Sequence, residues 1–86
     1  MSDPNRIALA ERLLVNAARK AGIILSGDMR VSEADAAVLL GLHPGSLKNL
    51  RHEGTGPRAY RLGLNGGRLS YRIADLAEWL EVRSVE

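Results

Sequence analysis

Few side chains in this sequence have the types and spacing that catalysis or metal binding requires. The chain has two histidines, His43 and His52, no cysteine, and no cluster of further ligands around either histidine. The glycine-rich segment 63–67 resembles a phosphate-binding loop only superficially, because no Gly-Lys-Ser/Thr follows it. No Ser/His/Asp set has the arrangement of a nucleophilic triad. The sequence therefore predicts that the protein is not an enzyme and has no catalytic residue, metal site, cofactor or small-molecule substrate.

The segment from Pro44 to Arg72 is basic. It contains six lysine or arginine side chains and one acidic side chain, whereas the whole chain has a formal net charge of +2. Positive charge concentrated in a nearly neutral chain is typical of a surface that binds a polyanion. From charge alone, an ordinary solvated surface rich in arginine is an equally good interpretation. The basic residues of the segment are Lys48, Arg51, Arg58, Arg61, Arg68 and Arg72.

Two short helices joined by a tight turn are predicted around the start of this basic segment. Ser32 and Asp35 have the spacing of a capping box, and Gly41 ends the first helix. Pro44 begins the second helix, and Gly54 closes it. Such a pair is a helix-turn-helix pattern. We expect the first helix to bury Ala34, Ala37, Val38 and Leu40, and the second to bury Leu47 and Leu50 while leaving Ser46, Lys48, Asn49, Arg51 and His52 outside.

A β-hairpin is predicted next, because Asn65-Gly66 tolerates the positive φ angles of a two-residue type I′ turn. That turn would place Leu62 opposite Leu69. Because side chains alternate between the faces of a strand, the hairpin would have one apolar and one basic face. The apolar face would carry Tyr60, Leu62, Leu69 and Tyr71, and the basic face Arg61, Arg68, Ser70 and Arg72.

Amphipathic helices are predicted at both ends of the chain. The first spans residues 4–21, with a Ser2 or Asp3 cap and Pro4 at its first position. The last spans residues 74–83. Apolar residues at spacings of three and four give each helix an inward stripe. The stripes are Ile7, Ala10, Leu14, Ala17 and Ala21, widened by Leu13 and Ala18, in the first helix, and Leu76, Trp79 and Leu80 in the last.

The size of the core and the cellular location are predicted from simpler features of the sequence. A chain of 86 residues is long enough for a single modest core. It has no cysteine, its first residues lack the character of a secretory signal, and its apolar runs are far shorter than a membrane span. We therefore expect a cytoplasmic protein with no membrane association.

An ordered combination of short motifs runs from residue 29 to residue 83. They are VSEADAAVLLGL at 31–42, Pro44, Ser46-Leu47, Leu50, Gly56-Pro57, YRLG at 60–63, LSYR at 69–72, Asp75-Leu76 and EWL at 78–80. In this combination the chain resembles the excisionase and AlpA branch of the MerR-like winged helix-turn-helix proteins. The resemblance implies a mainly α fold with a small β-hairpin (α+β), in which residues 29–86 form a winged helix-turn-helix DNA-binding domain. An additional N-terminal amphipathic helix and turn, residues 1–28, would precede it.

The resemblance also implies where DNA would bind. Helix 44–53 would be the recognition helix in a major groove, and hairpin 58–72 the wing that contacts the neighbouring backbone or minor groove. By position, Ser46, Lys48, Asn49 and Arg51 match the DNA-facing residues of the helix, and Arg61, Arg68 and Arg72 the basic wing residues, which Arg58 is expected to join. The family often has Arg or Lys where Asn49 stands, an aromatic residue where Leu50 stands and Ser where Ala74 stands. Asn49 can read adenine but attracts phosphate less.

The expected function is sequence-specific binding of double-stranded DNA by a small phage or mobile-element protein. In a bacterial or phage-infected cell it would act either as an excisionase (a recombination directionality factor) or as a transcriptional regulator. One such module buries little surface, so we expect residues 4–21 to bind a second copy or a recombinase or polymerase partner. Two alternatives stay open, a protein-interaction adaptor that docks an acidic partner and a small packaging-terminase-like subunit of the same fold.

Overall fold

The structure, a computed structural model, describes residues 3–63 and 67–83. Its elements in chain order are α1 (Pro4–Lys20), β1 (Arg30–Val31), α2 (Glu33–Leu40), α3 (Pro44–Glu53), β2 (Tyr60–Leu62), β3 (Arg68–Arg72) and α4 (Ile73–Arg83). The strands form one antiparallel sheet in the order β1-β3-β2. The mainly helical architecture, a winged helix-turn-helix preceded by an N-terminal helix, confirms the expected fold class.

The start of α1 is fixed by local chemistry. The Asp3 carboxylate accepts a hydrogen bond from the Asn5 N–H at 2.9 Å, which satisfies one of the backbone donors left free at a helix start. Pro4 stands in the first turn, where no intrahelical N–H is needed. Asp3 therefore caps α1, and Ser2, the other expected cap, lies outside the described residues.

The buried stripe of α1 differs from the expected one in its second half. α1 packs mainly on α4, with Leu14 and Ala18 buried and Ile7 and Ala10 against the core. Leu13, Ala17 and Ala21 are exposed, so their predicted inward position is wrong. Ala18, one of the two residues predicted to widen the stripe, is fully buried, so the stripe continues from Leu14 to Ala18. α1 therefore contributes to the core that the rest of the chain builds.

Side-chain caps also fix the two helices of the helix-turn-helix. The Ser32 hydroxyl accepts a hydrogen bond from the Asp35 N–H at 3.1 Å at the start of α2. His43 Nδ1 accepts one from the Gly45 N–H at 3.0 Å at the start of α3. Gly54 ends α3 with φ at +77°, a left-handed conformation that glycine adopts without steric cost. The predicted limits of both helices are confirmed.

The buried face of α2 is rotated from the predicted one. Ala36 and Ala37 are fully buried, whereas Ala34 is exposed and Val38 has an exposed fraction of 62%. α2 packs against α3, β3 and α4 together. Because these neighbours lie on more than one side of a short, mostly apolar helix, its periodicity does not single out the buried face. The prediction for Ala34 and Val38 is wrong.

The hairpin pairs one residue away from the predicted register. The pairs are Tyr60 with Ser70, Arg61 with Leu69, and Leu62 with Arg68. A two-residue turn at Asn65-Gly66 would have required Leu62 to pair with Leu69, so the predicted register is wrong; the turn residues themselves lie outside the described residues. Because side chains alternate along a strand, Arg61 shares a face with Leu69 and Tyr71, while Tyr60 shares the other face with Ser70.

A third strand extends this hairpin into a small sheet. β1 pairs with β3 through Arg30 opposite Arg72 and Val31 opposite Tyr71. The Ile73 N–H then donates a hydrogen bond to the Met29 carbonyl at 3.0 Å, where β3 passes directly into α4. The sequence indicated only a short extended segment before α2. Its pairing with β3 depends on residues about 40 positions apart in the chain, which no local pattern contains.

The direct passage from β3 into α4 sets which face of the last helix is buried. Ile73, Leu76 and Ala77 are fully buried, and Leu80 packs against them. Trp79 is only half-buried, and its indole Nε1–H donates to the Thr55 carbonyl at 3.0 Å, across the segment that follows α3. The predicted core position of Trp79 is therefore wrong.

A membrane span requires a long and strongly apolar helix. Within residues 3–63 and 67–83, no helix is long and apolar enough to cross a bilayer.

Candidate nucleic-acid interface

The side of α3 that faces away from the core is polar and basic. Leu47 is fully buried beneath the helix. With about 3.6 residues per turn, Lys48, Asn49 and His52 lie on the opposite side, and all three are exposed. Ser46 is exposed at the edge of the same side. We call Ser46, Lys48, Asn49 and His52 the α3 surface. The structure therefore brings three of the four predicted helix contacts together on one exposed surface.

Arg51, the fourth predicted helix contact, makes an ion pair beside this surface. Its guanidinium donates two hydrogen bonds to the Glu33 carboxylate, from Nε to Oε2 at 2.7 Å and from Nη2 to Oε1 at 3.3 Å. The hydroxyl of buried Tyr71 donates to the same Oε2 at 2.6 Å. The side chains of Arg51 and Glu33 each have an exposed fraction of 20%. Arg51 thus lies at the border between the α3 surface and the protein interior.

The ionisation of this cluster follows from the same contacts. The Arg51 hydrogen bonds lower the pKa of Glu33, and although burial opposes this effect, it does not outweigh it. Burial, followed by the hydrogen bond to Glu33, raises the pKa of Tyr71. Glu33 is therefore a carboxylate and Tyr71 a neutral phenol at neutral pH.

A cleft of about 490 Å³ lies between the end of α3 and the hairpin. Three of the predicted DNA-contacting arginines line it, Arg51, Arg58 and Arg61. Its other lining residues are Gly54, Gly56, Pro57, Ala59 and Leu69. Three arginines along one concave site concentrate positive charge there, although the pairing of Arg51 with Glu33 offsets part of it, and such a site suits a phosphate group.

The chain crosses α3 closely at this cleft. A Cβ atom on Gly56 would lie 3.0 Å from the Leu50 Cβ and 3.3 Å from the Leu50 carbonyl carbon. A side chain at this position would push the segment away from α3. Glycine therefore permits the approach that forms the cleft.

Arg58 stands between the cleft and the acidic side of α4. A hydrogen bond with Tyr60 raises the pKa of Arg58, and the charges of Asp75 and Glu78 act in the same direction. The Tyr60 hydroxyl donates to Asp75 Oδ2 at 2.8 Å. Nearby carboxylates partly offset the positive charge that Arg58 presents to a polyanion.

The opposite face of the sheet carries the remaining predicted wing arginines. Arg68 and Arg72 are exposed there. The Tyr60 ring lies on the same face, with the guanidinium carbons of Arg30 and Arg72 at 4.7 and 5.4 Å from its centroid, within cation–π distance. Two predictions are therefore wrong: Tyr60 does not face the core with Tyr71, and Arg61 does not share a face with Arg68 and Arg72.

Arg30 is a residue of this face that the sequence analysis did not identify. Its Nε bonds Asp28 Oδ2 at 2.6 Å, its Nη1 donates to Ser70 Oγ at 3.4 Å, and its side chain has an exposed fraction of 11%. Hydrogen bonds from Ser26 and Arg30 lower the pKa of Asp28 to about 2. In the sequence, the position of Arg30 on this face was indicated only by the short extended segment around Val31.

Metal binding would require several ligating side chains close together. In the part of the chain that the structure describes, no three His, Asp or Glu side chains are grouped so that they could hold a metal ion. His43 instead caps α3 through Nδ1, and His52 belongs to the α3 surface.

Comparison with known proteins gives one match. A model of the helix-turn-helix domain family matches residues 31–84, which is more than half of the chain and contains α2, α3, β2, β3 and α4. No curated protein and no solved structure matches the chain.

Proposed function

Because the chain belongs to the helix-turn-helix domain family, we propose that it binds double-stranded DNA in a sequence-specific manner, with α3 in the major groove. Membership in this family supports DNA binding in general, and such domains are typically non-enzymatic. The observation that carries the more specific proposal is the α3 surface, on which Lys48 and Asn49 are exposed opposite buried Leu47.

The residues of the α3 surface have complementary roles in this proposal. The Asn49 amide can make paired hydrogen bonds with N6 and N7 of adenine, the main base-specific contact that this surface offers. Lys48 binds phosphate or the acceptor edge of guanine. Ser46, in the first turn of α3, donates to a phosphate. Arg51 contributes its positive charge at the edge of this surface while it remains paired with Glu33.

The hairpin 58–72 acts as the wing. Arg58 and Arg61, which line the cleft beside α3, contact phosphates next to the major groove. Arg68 and Arg72, on the other face of the sheet, contact the backbone or the minor groove beyond it. These contacts carry little sequence information, and they determine register and salt dependence.

The resemblance to the excisionase and AlpA branch supports a more specific role. We infer a small phage or mobile-element protein that acts in the bacterial cytoplasm as a recombination directionality factor or as a transcriptional regulator. Both roles use the same DNA contacts, so the position of the binding site in DNA distinguishes them. A site beside a recombinase target indicates excision, and a site over a promoter indicates regulation.

Residues 4–21 supply a second contact in this proposal, to another copy of the chain. Leu9 and Leu13 have exposed fractions of 53% and 60%, and they line a shallow groove with Arg6 and Glu81, whose side chains form an ion pair at 2.9 Å. Deleting the helix would also expose the core around Leu14. The appropriate test is therefore L9S/L13S, which should lower self-association in sedimentation experiments. A wild-type chain that is monomeric with and without DNA would leave a recombinase or polymerase as the partner.

The central experiment is selection of bound fragments from random duplex DNA, followed by titration of the selected duplex at several salt concentrations. The double variant K48A/R68A should bind it at least about tenfold more weakly, with a salt slope reduced by about 2, because two positive charges that displace counterions from the DNA are lost.

The matched control is R19A/K20A, which removes the same two charges from exposed positions at the end of α1. It should retain most of the affinity and the salt slope. Equal losses in the two double variants would contradict the proposed interface. A wild-type chain that binds no duplex at low salt would reject DNA binding and favour the adaptor that docks an acidic protein.

A further inference from the structure

Glu33 is a carboxylate in contact with both parts of the proposed DNA interface. Its Oε2 accepts hydrogen bonds from Arg51 of α3 at 2.7 Å and from the Tyr71 hydroxyl of β3 at 2.6 Å. Its Oε1 accepts a further bond from Arg51 at 3.3 Å. The first residue of α2 therefore joins the last turn of the recognition helix to β3 of the wing, the central strand of the sheet.

The two partners of Glu33 are firmly placed in their own elements. Tyr71 is fully buried and pairs with Val31, so its hydroxyl moves only with the sheet. Arg51 lies one helical turn from Leu47, which is fully buried. Charge-assisted, two-pronged hydrogen bonds define geometry more strictly than neutral ones. A shift of α3 relative to the wing would break at least one of the bonds to Glu33.

Relative geometry matters because the α3 surface and the wing must contact one duplex at the same time. Groups held rigidly by supporting hydrogen bonds bind without the entropic cost of ordering, whereas loosely held groups lose affinity and specificity. The local electrostatic effect of Glu33 has the opposite sign. A carboxylate beside a DNA-binding surface repels phosphate, and its pairing with Arg51 offsets part of that arginine's charge.

We propose that Glu33 is a positioning residue, which acts through Arg51 and Tyr71 to hold the recognition helix and the wing in the relative orientation that DNA binding needs. This inference rests on the proposed function. The negative charge of Glu33 thereby improves binding of a polyanion, because it holds Arg51 and Tyr71 in place.

Two substitutions at Glu33 separate geometry from charge. E33Q removes the charge and the ion pair to Arg51. E33D keeps the charge but shortens the side chain, so that one carboxylate no longer reaches both Arg51 and Tyr71. Both variants should bind the selected duplex about tenfold more weakly, the change that corresponds to loss of one charge-assisted hydrogen bond.

The matched control is E53Q, which removes the same charge from an exposed position in the last turn of α3. It should bind as well as wild type or more tightly. All proteins are compared at a temperature at which circular dichroism shows them folded. Wild-type affinity in E33D together with tighter binding in E33Q would overturn the inference, because Glu33 would then act only as a repulsive charge.

A measurement without DNA tests the inference independently of the proposed function. Because the chain has no cysteine, the double variant H52C/R68C would carry spin labels at only two positions, one in α3 and one in the wing. E33Q and E33D should broaden or displace the distribution of distances between the labels, and E53Q should not. An unchanged distribution would overturn the inference even if wild type binds DNA. A changed distribution in a chain that binds no duplex would uphold the positioning role and reject the proposed function.

Discussion

Arg61 and Arg72 lie on opposite faces of the same small sheet. Arg61 pairs with Leu69, and Arg72 stands three residues further along β3, so the alternation of the strand turns their side chains apart. Arg61 faces the cleft beside α3, whereas Arg72 faces the Tyr60 ring. The wing therefore presents positive charge on two sides, and its arginines have different neighbours.

The separation of Arg61 and Arg72 predicts additive effects on DNA binding. R61A and R72A should each weaken binding, and R61A/R72A should weaken it by the sum of the two free-energy changes within about 0.5 kcal/mol, as expected for sites without shared partners. Titration of one duplex with all four proteins tests this. A coupling well above that value would mean that both arginines contact the same phosphate.

Asn49 should control base preference more than overall affinity. Replacing it with alanine removes the proposed paired hydrogen bonds to adenine, which is worth about 1–3 kcal/mol of discrimination at one base pair. N49A should therefore relax selection at that position while its affinity for non-specific duplex stays near that of wild type. H52A, on the same exposed surface, is the control. An unchanged consensus in N49A would place base readout elsewhere.

Adjacent leucines of α1 should differ in their effect on stability. Leu14 has an exposed fraction of 7% and Leu13 one of 60%. L14A should lower the free energy of unfolding by about 2–5 kcal/mol, because it leaves a cavity in the core, whereas L13A should change it by less than about 0.5 kcal/mol. Urea denaturation of both variants provides the measurement. Similar, small changes would mean that α1 is not required for the core.

Two glycines should respond differently to an added methyl group. Gly54 ends α3 at φ +77°, where a side chain costs about 1–2 kcal/mol, so G54A should lower the melting temperature. Gly27 is not among the positive-φ glycines, and a Cβ atom there would meet no other atom of the described residues within 4 Å. G27A should therefore be neutral or slightly stabilising. Equal effects on thermal unfolding would contradict the described end of α3.

Stability should decrease in acid through Glu33 and Asp28. The pKa of Glu33 is lowered from 4.5, mainly by Arg51, and that of Asp28 from 3.8 to about 2, mainly by Ser26. A carboxyl group whose pKa is lower in the folded state stabilises the fold above its unfolded pKa, and the contribution is lost as pH falls through the folded value. The loss should therefore begin near pH 4.5 and continue toward pH 2.

Variants separate the Glu33 contribution from that of Asp28. E33Q should show a smaller decrease in unfolding free energy between pH 7 and pH 3 than wild type, because its amide does not titrate. E53Q should keep the wild-type dependence, since Glu53 is exposed at the end of α3. Parallel curves for wild type and E33Q would contradict the role of the Glu33–Arg51 pair.

Elements whose limits depend on neighbouring residues could be predicted from the sequence. Asp3, Ser32 and His43 cap helices through atoms two or three residues away, and Gly54 stops α3 through its own backbone. The exposure of Lys48 and Asn49 opposite Leu47 follows from helical periodicity alone. The fold class and the exposed surface of α3 were predictable for this reason.

The pairing and rotation of those elements became visible only in the folded chain. The register that turns Arg61 toward α3 depends on the connection between β2 and β3, and a shift of one residue exchanges the faces of every side chain. The pairing of Arg30 with Arg72, and the contact of Arg51 and Tyr71 with Glu33, join residues that are distant in the chain. Alternation and periodicity describe each element separately, whereas these contacts depend on how the elements pack together.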